Sequence, residues 1–166
     1  MKRIGFGQVE PNHLSAKRTG QIYAQLPAAK GIAVLENGQF VKYDYANGEV
    51  NLTGAGEWML VFNEVKLYED RQTYKDFALK AADAVGGEIV PRVFKTNIGD
   101  IYTTNMVVVD GKDDMEYKEG DILVPGEDGI LAIPEGDPAA TDMQWEVAKV
   151  YTLADGQAAL KIVRIA

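Results

Sequence analysis

The chain contains no cysteine and one histidine in 166 residues. Disulfides, thiolate metal sites and thiol nucleophiles are excluded, while the compartment stays open because a cysteine-free chain suits cytosol and exterior alike. The lone His13 stands between Asn12 and Leu14 in an irregular stretch and has no second imidazole or thiol with which to build a metal site. It reads as a solvated or interface residue. Long hydrophobic runs are missing too. Nothing approaches the roughly 20 apolar residues of a membrane span, and Lys2 and Arg3 are followed by no apolar stretch, so a soluble chain without a secretion signal is expected. Glycine is plentiful but not in phosphate-binding order: Gly5-Phe6-Gly7 leads to no third glycine or lysine, and Gly54-Ala55-Gly56 leads into a strand pattern. From these patterns no cofactor, metal or catalytic residue is expected.

Charge is present but unevenly placed. The net −8 divides into +4 over residues 1–30, where Lys2, Arg3, Lys17, Arg18 and Lys30 oppose Glu10 alone, and −12 over the rest. An acidic body argues against nucleic acid, whose phosphates call for clustered Lys and Arg. Residues 1–30, broken by Gly5, Gly7, Pro11, Gly20 and Pro27, read as an extended N-terminal arm, and residues 31–166 as a single β-rich domain. Within the arm, Ile22, Ala24 and Leu26 alternate with Gln21, Tyr23 and Gln25, a short strand stopped by Pro27. Such a strand either adds to another chain's sheet edge or completes the protein's own barrel.

The body is organised around Gly31 to Val50. Ile32, Val34 and Leu35 lead to Asn37-Gly38, read as a tight type I′ hairpin turn, and Phe40, Val41 and Tyr43 return to Asn47-Gly48 and Val50, a three-stranded meander. The phrase recurs: Gly38-Gln-Phe-Val is echoed by Gly99-Asp-Ile-Tyr and Gly120-Asp-Ile-Leu, and Asn47-Gly48-Glu-Val by Asp128-Gly129-Ile-Leu. Trp58 to Phe62 is a continuous apolar run of the kind found in strands buried on both faces. From about Asp70 to Val85, Tyr74, Phe77, Ala78, Ala81, Ala82 and Val85 fall at helical spacing, followed by Gly86-Gly87, and predict the one helix. Pro91 confines its strand to an edge or a strand start. The chain closes on a hairpin, Trp145 to Leu153 and Ala158 to Ile165, with Val147, Val150, Leu160, Ile162 and Ile165 expected inward. The fold class is mainly β, an antiparallel barrel or sandwich with one inserted α-helix (about 70–85).

Acid pairs at Glu69-Asp70, Asp113-Asp114 and Glu127-Asp128 sit beside turns and read as solvated charges. Asp110 to Glu116 is rich in oxygen ligands but lacks the spacing of an EF-hand loop. A small carboxylate-dependent hydrolase is the rival class; it would pair Asp100, Asp121 or Glu64 across a cleft at about 5 to 10 Å.

In these glycine-led phrases and in Pro91-Arg-Val-Phe-Lys-Thr-Asn-Ile-Gly-Asp-Ile-Tyr-Thr-Thr-Asn105, the chain resembles the head decoration, or cement, proteins of tailed bacteriophages. The resemblance implies a non-enzymatic structural protein of the virion, assembled in the host cytoplasm, that binds the capsid exterior and staples neighbouring subunits through its arm. The partner expected is the major capsid protein, with a second copy of the chain as a homo-oligomeric contact, and neither nucleic acid nor membrane. The arm residues expected to make contact are Phe6, Ile22, Tyr23 and Leu26 as anchors, with Lys17 and Arg18 adding screened attraction. A tail or connector subunit is the alternative within the same class.

Overall fold

A computed structural model describes residues 5–19, 23–54, 56–64, 78–107 and 117–166. In chain order its strands are β1 (Val9–His13), β2 (Ala24–Gln25), β3 (Val34–Glu36), β4 (Phe40–Asp44), β5 (Glu49–Asn51), β6 (Trp58–Val61) and β7 (Ala78–Lys80). They continue with β8 (Arg92–Phe94), β9 (Ile101–Thr104), β10 (Ile122–Pro125), β11 (Leu131–Ala132), β12 (Trp145–Thr152) and β13 (Ala158–Arg164). Every pairing between these strands is antiparallel. A five-residue helix, α1 (Ser15–Thr19), and three short 3-10 turns are the helical content among the described residues.

One sheet runs β2-β8-β6-β4-β5. Its free edges meet: beyond β2, Ala28 bridges Val50 of β5, the Ala29 N–H donates to the Val50 carbonyl at 2.8 Å, and the Val50 N–H donates to the Pro27 carbonyl at 2.9 Å. The sheet therefore closes into a small barrel and leaves few open edges. The second sheet runs β1-β9-β13-β12-β10-β11 and curls in the same way, with Val107, just past β9, bridging Leu131 of β11. A ribbon of β3 and β7 stands apart.

The two curled sheets share a wall. Val41, Met59 and Val61 point into the first barrel with Leu35, Val50, Ile89 and Val93, while Phe40 and Leu60 point the other way, into a core with Tyr102, Leu123, Trp145, Leu160 and Ile162. β4 and β6 are thus buried on both faces, as the unbroken run from Trp58 expects. Phe40 and Tyr102 pack on Trp145, the latter edge-on at 5.0 Å.

The recurring glycine phrase is one structural device used three times. In Glu36–Gln39, Asn97–Asp100 and Lys118–Asp121 the fourth residue's N–H donates to the first residue's carbonyl, at 3.2, 2.9 and 3.1 Å. The glycine in third place has φ of 94°, 90° and 91°, as a type II turn requires. The fourth side chain then accepts the first residue's N–H, through Gln39 at 2.8 Å, Asp100 at 2.9 Å and Asp121 at 2.7 Å. β4, β9 and β10 each start just after the device.

Four expectations are revised. Asn37-Gly38 does not close a hairpin: Asn37 has negative φ, which a type I′ turn forbids, and β3 pairs with β7 instead of β4. Of the expected helix, residues 70–77 lie outside the described residues, while Ala78–Lys80 form a strand and 81–87 two 3-10 turns. Pairing with β3 supplies the backbone bonds a helix would otherwise have made, and Gly86, at φ 75°, breaks any continuation. In the closing hairpin Val147, Leu160 and Ile162 are buried as expected, but Val150 and Ile165 are exposed. The pairing of β10 with β12 ends at Glu146, so among the described residues the outer half of β12 has β13 as its sole strand neighbour and Val150 overhangs the core. Finally, the described residues of the expected extended arm, 5–19 and 23–30, pack into the body: β1 lines β9, Leu14 is buried in the larger core, and β2 is a stave of the barrel.

Candidate interaction surface

The N-terminal segment is fastened residue by residue. The Gly7 N–H donates to Glu36 Oε2 at 2.6 Å, the Gln8 N–H to Asn105 Oδ1 at 2.7 Å, and the Gln8 amide to Asp155 Oδ2 at 2.9 Å. A side chain at Gly7 would place its Cβ 2.3 Å from the Asn37 carbonyl, so only glycine fits this approach. Leu14 then turns the chain into α1, whose Ser15 N–H and hydroxyl both donate to Asp100 Oδ1.

Of the six expected contact residues, Phe6 is half-buried beneath Lys80, whose Nζ lies 4.6 Å from its ring centroid. Lys17 pairs with Glu64 at 2.6 Å and lies over the Phe62 ring. Leu26 packs with Ala24 against the smaller core, while Tyr23 and Gln25 face outward, so the alternation holds where the segment is described. Ile22 and the Arg18 side chain lie outside the described residues. Tyr23 alone among the six presents an exposed aromatic surface. Among the described residues β1 is the last strand of its sheet, with no strand on its outer side and with Pro11, Asn12 and His13 exposed along it.

The three acids of the hydrolase alternative do not converge. Asp100 is buried in its turn, Asp121 closes another turn, and Glu64 is held by Lys17. No group of three metal-ligating side chains stands together among the described residues. The Asp110–Glu116 turn lies outside them. A groove of about 520 Å³ opens where residues 28–33 and 86–89 diverge, its walls mixing small residues such as Ala28, Gly31 and Gly86 with Lys30, Ile32, Glu88 and Ile89.

A second exposed feature escaped the sequence reading. At the rim of the barrel Tyr45 stacks on Tyr43 at 4.1 Å, and Tyr23 meets Tyr43 edge-on at 6.5 Å. The Tyr23 and Tyr45 hydroxyls are 3.1 Å apart. Lys95 lies over the Tyr23 ring and pairs with Glu57 at 3.3 Å. Sharing that hydrogen bond lowers the Tyr23 phenol below its ordinary pKa and raises that of Tyr45. Burial works to lower the Lys95 ammonium, but the hydrogen bond and charge of Glu57 outweigh it and hold it above its ordinary value. The signal for this cluster was the alternation Tyr43-Asp44-Tyr45 running out of a strand into a turn, where an aromatic side chain has no core to enter.

Neither family models, curated proteins nor solved structures yield a match to this chain.

Proposed function

We propose that this chain is a non-enzymatic structural protein of a tailed-phage virion, seated on the outside of the capsid and stabilising contacts between major capsid subunits through its N-terminal segment. The observation that carries the reading is the position of β1. It is the terminal strand of the six-stranded sheet, it comes from residues 1–30, which carry +4 in an acidic chain, and among the described residues no strand occupies its outer edge. Strand addition along β1 leaves both cores intact, whereas addition along β2 would displace pairing the barrel already uses.

Deletion of the segment is a poor test, because it removes Leu14 from the core. Co-sedimentation of the full chain with purified, expanded capsid shells is the suitable one. Binding should saturate and persist at about 1 M salt, where the screening length falls to about 3 Å. His13→Glu on the exposed edge should lower occupancy. Failure to sediment with shells, or release by salt with His13→Glu binding normally, would overturn the proposal.

A further inference from the structure

Tyr43 packs against the smaller core and roofs one end of the five-stranded barrel. Tyr45 lies stacked on it with an interplanar angle of 30° and is 71% exposed, so its outer face is open to solvent. The ring is held from the side, since the Tyr23 hydroxyl meets that of Tyr45 and Tyr23 is itself braced against Tyr43 and Lys95. A fixed, flat aromatic face surrounded by hydrogen-bonding groups is a recognition surface that loses little conformational freedom on binding.

The chemistry around the shelf selects the ligand. Lys95 is paired with Glu57, and the Asp44 carboxylate accepts from the Asn47 amide at 2.9 Å and from the Ala46 and Asn47 N–H groups. The neighbouring charges are therefore already satisfied, and an uncharged ligand fits best. The net charge of −8 opposes polyanions, which removes nucleic acid. A proline-rich peptide asks for a groove between aromatic rings, but Tyr43 and Tyr45 are in contact and leave none. A sugar ring meets every requirement, with a flat C–H face for Tyr45 and hydroxyls at its rim for the Tyr23 and Tyr45 hydroxyls, Lys95 and Glu57.

We infer that the Tyr23–Tyr43–Tyr45 shelf is a binding site for a neutral glycan, one pyranose stacking on Tyr45. This stands independently of the capsid reading, since it uses neither β1 nor a capsid partner. Titration of the full chain, followed by NMR of the tyrosine ring signals, tests it with three probes: hexamers of α-1,4-linked glucose, β-1,4-linked glucose and β-1,4-linked N-acetylglucosamine. At least one should bind saturably and shift the Tyr45 signals. Tyr45→Ala, in an exposed turn, should weaken that binding about tenfold, and Tyr45→Phe should stay within about threefold of the unaltered protein. No binding of any hexamer, unchanged affinity in Tyr45→Ala, or a decaproline peptide or oligothymidylate binding the shelf in place of the sugars would overturn the inference.

Discussion

Asp100 and Asp121 hold the same place in the same turn, yet their surroundings give them different weight. The Asp100 carboxyl is 1% exposed and takes three donors, the Asn97 N–H and the Ser15 N–H and hydroxyl, so it ties α1 to the start of β9. The Asp121 carboxyl takes the Lys118 N–H in an exposed setting. Asp100→Ala removes a buried acceptor shared by three part-buried hydrogen bonds and should destabilise the protein by about 1–3 kcal/mol, whereas at Asp121 water replaces the lost acceptor and the cost should stay near 0.5–1 kcal/mol. Urea unfolding of the two variants checks the contrast. Equal losses would mean that the turn itself, and not its burial, sets the energetics.

At the scale of elements, the tip of the β12–β13 hairpin is clamped to the N-terminal segment through Asp155, which accepts from the Gln8 amide and from the Gln157 N–H and amide. These bonds hold its carboxyl below the ordinary carboxylate range. A folded-state value lower than the unfolded one means that the clamp contributes fully above the ordinary pKa of about 3.9 and is lost as pH falls through the depressed value. Stability measured from about pH 5 downward should therefore fall less in Asp155→Asn than in the unaltered chain. The hairpin itself was legible from Trp145 to Ile165, and so were the three glycine-led strand starts, because both are local: turn residues and alternation specify them without help from elsewhere. The β3–β7 ribbon was not legible, since Ala78, Ala81, Ala82 and Val85 fall at helical spacing and nothing near them in sequence announces a partner more than forty residues back. The tyrosine shelf failed for the same reason, as Tyr23, Tyr45 and Lys95 meet only once the barrel closes.

At the scale of the whole molecule, the wall shared by the two cores couples them. Leu60 faces one core while Met59 and Val61 on either side face the other, so Leu60→Ala should cost about 2–5 kcal/mol and lower the stability of both halves together. Unfolding followed by Trp145 fluorescence and by tyrosine signals from the shelf should then coincide in a single transition; two separated transitions would show the barrels to be independent. The same wall has a consequence during synthesis. Every described strand of the five-stranded barrel lies between residues 24 and 94, whereas β9 needs β1 on one side and β13, ending at Arg164, on the other. A nascent chain can thus build the first barrel while Phe40, Leu60 and Trp58 still face water, because Trp145 and Leu160 have not yet left the ribosome. Until the last residues emerge, the half-made protein carries a sticky flank, and crowding of such chains favours mispairing over completion.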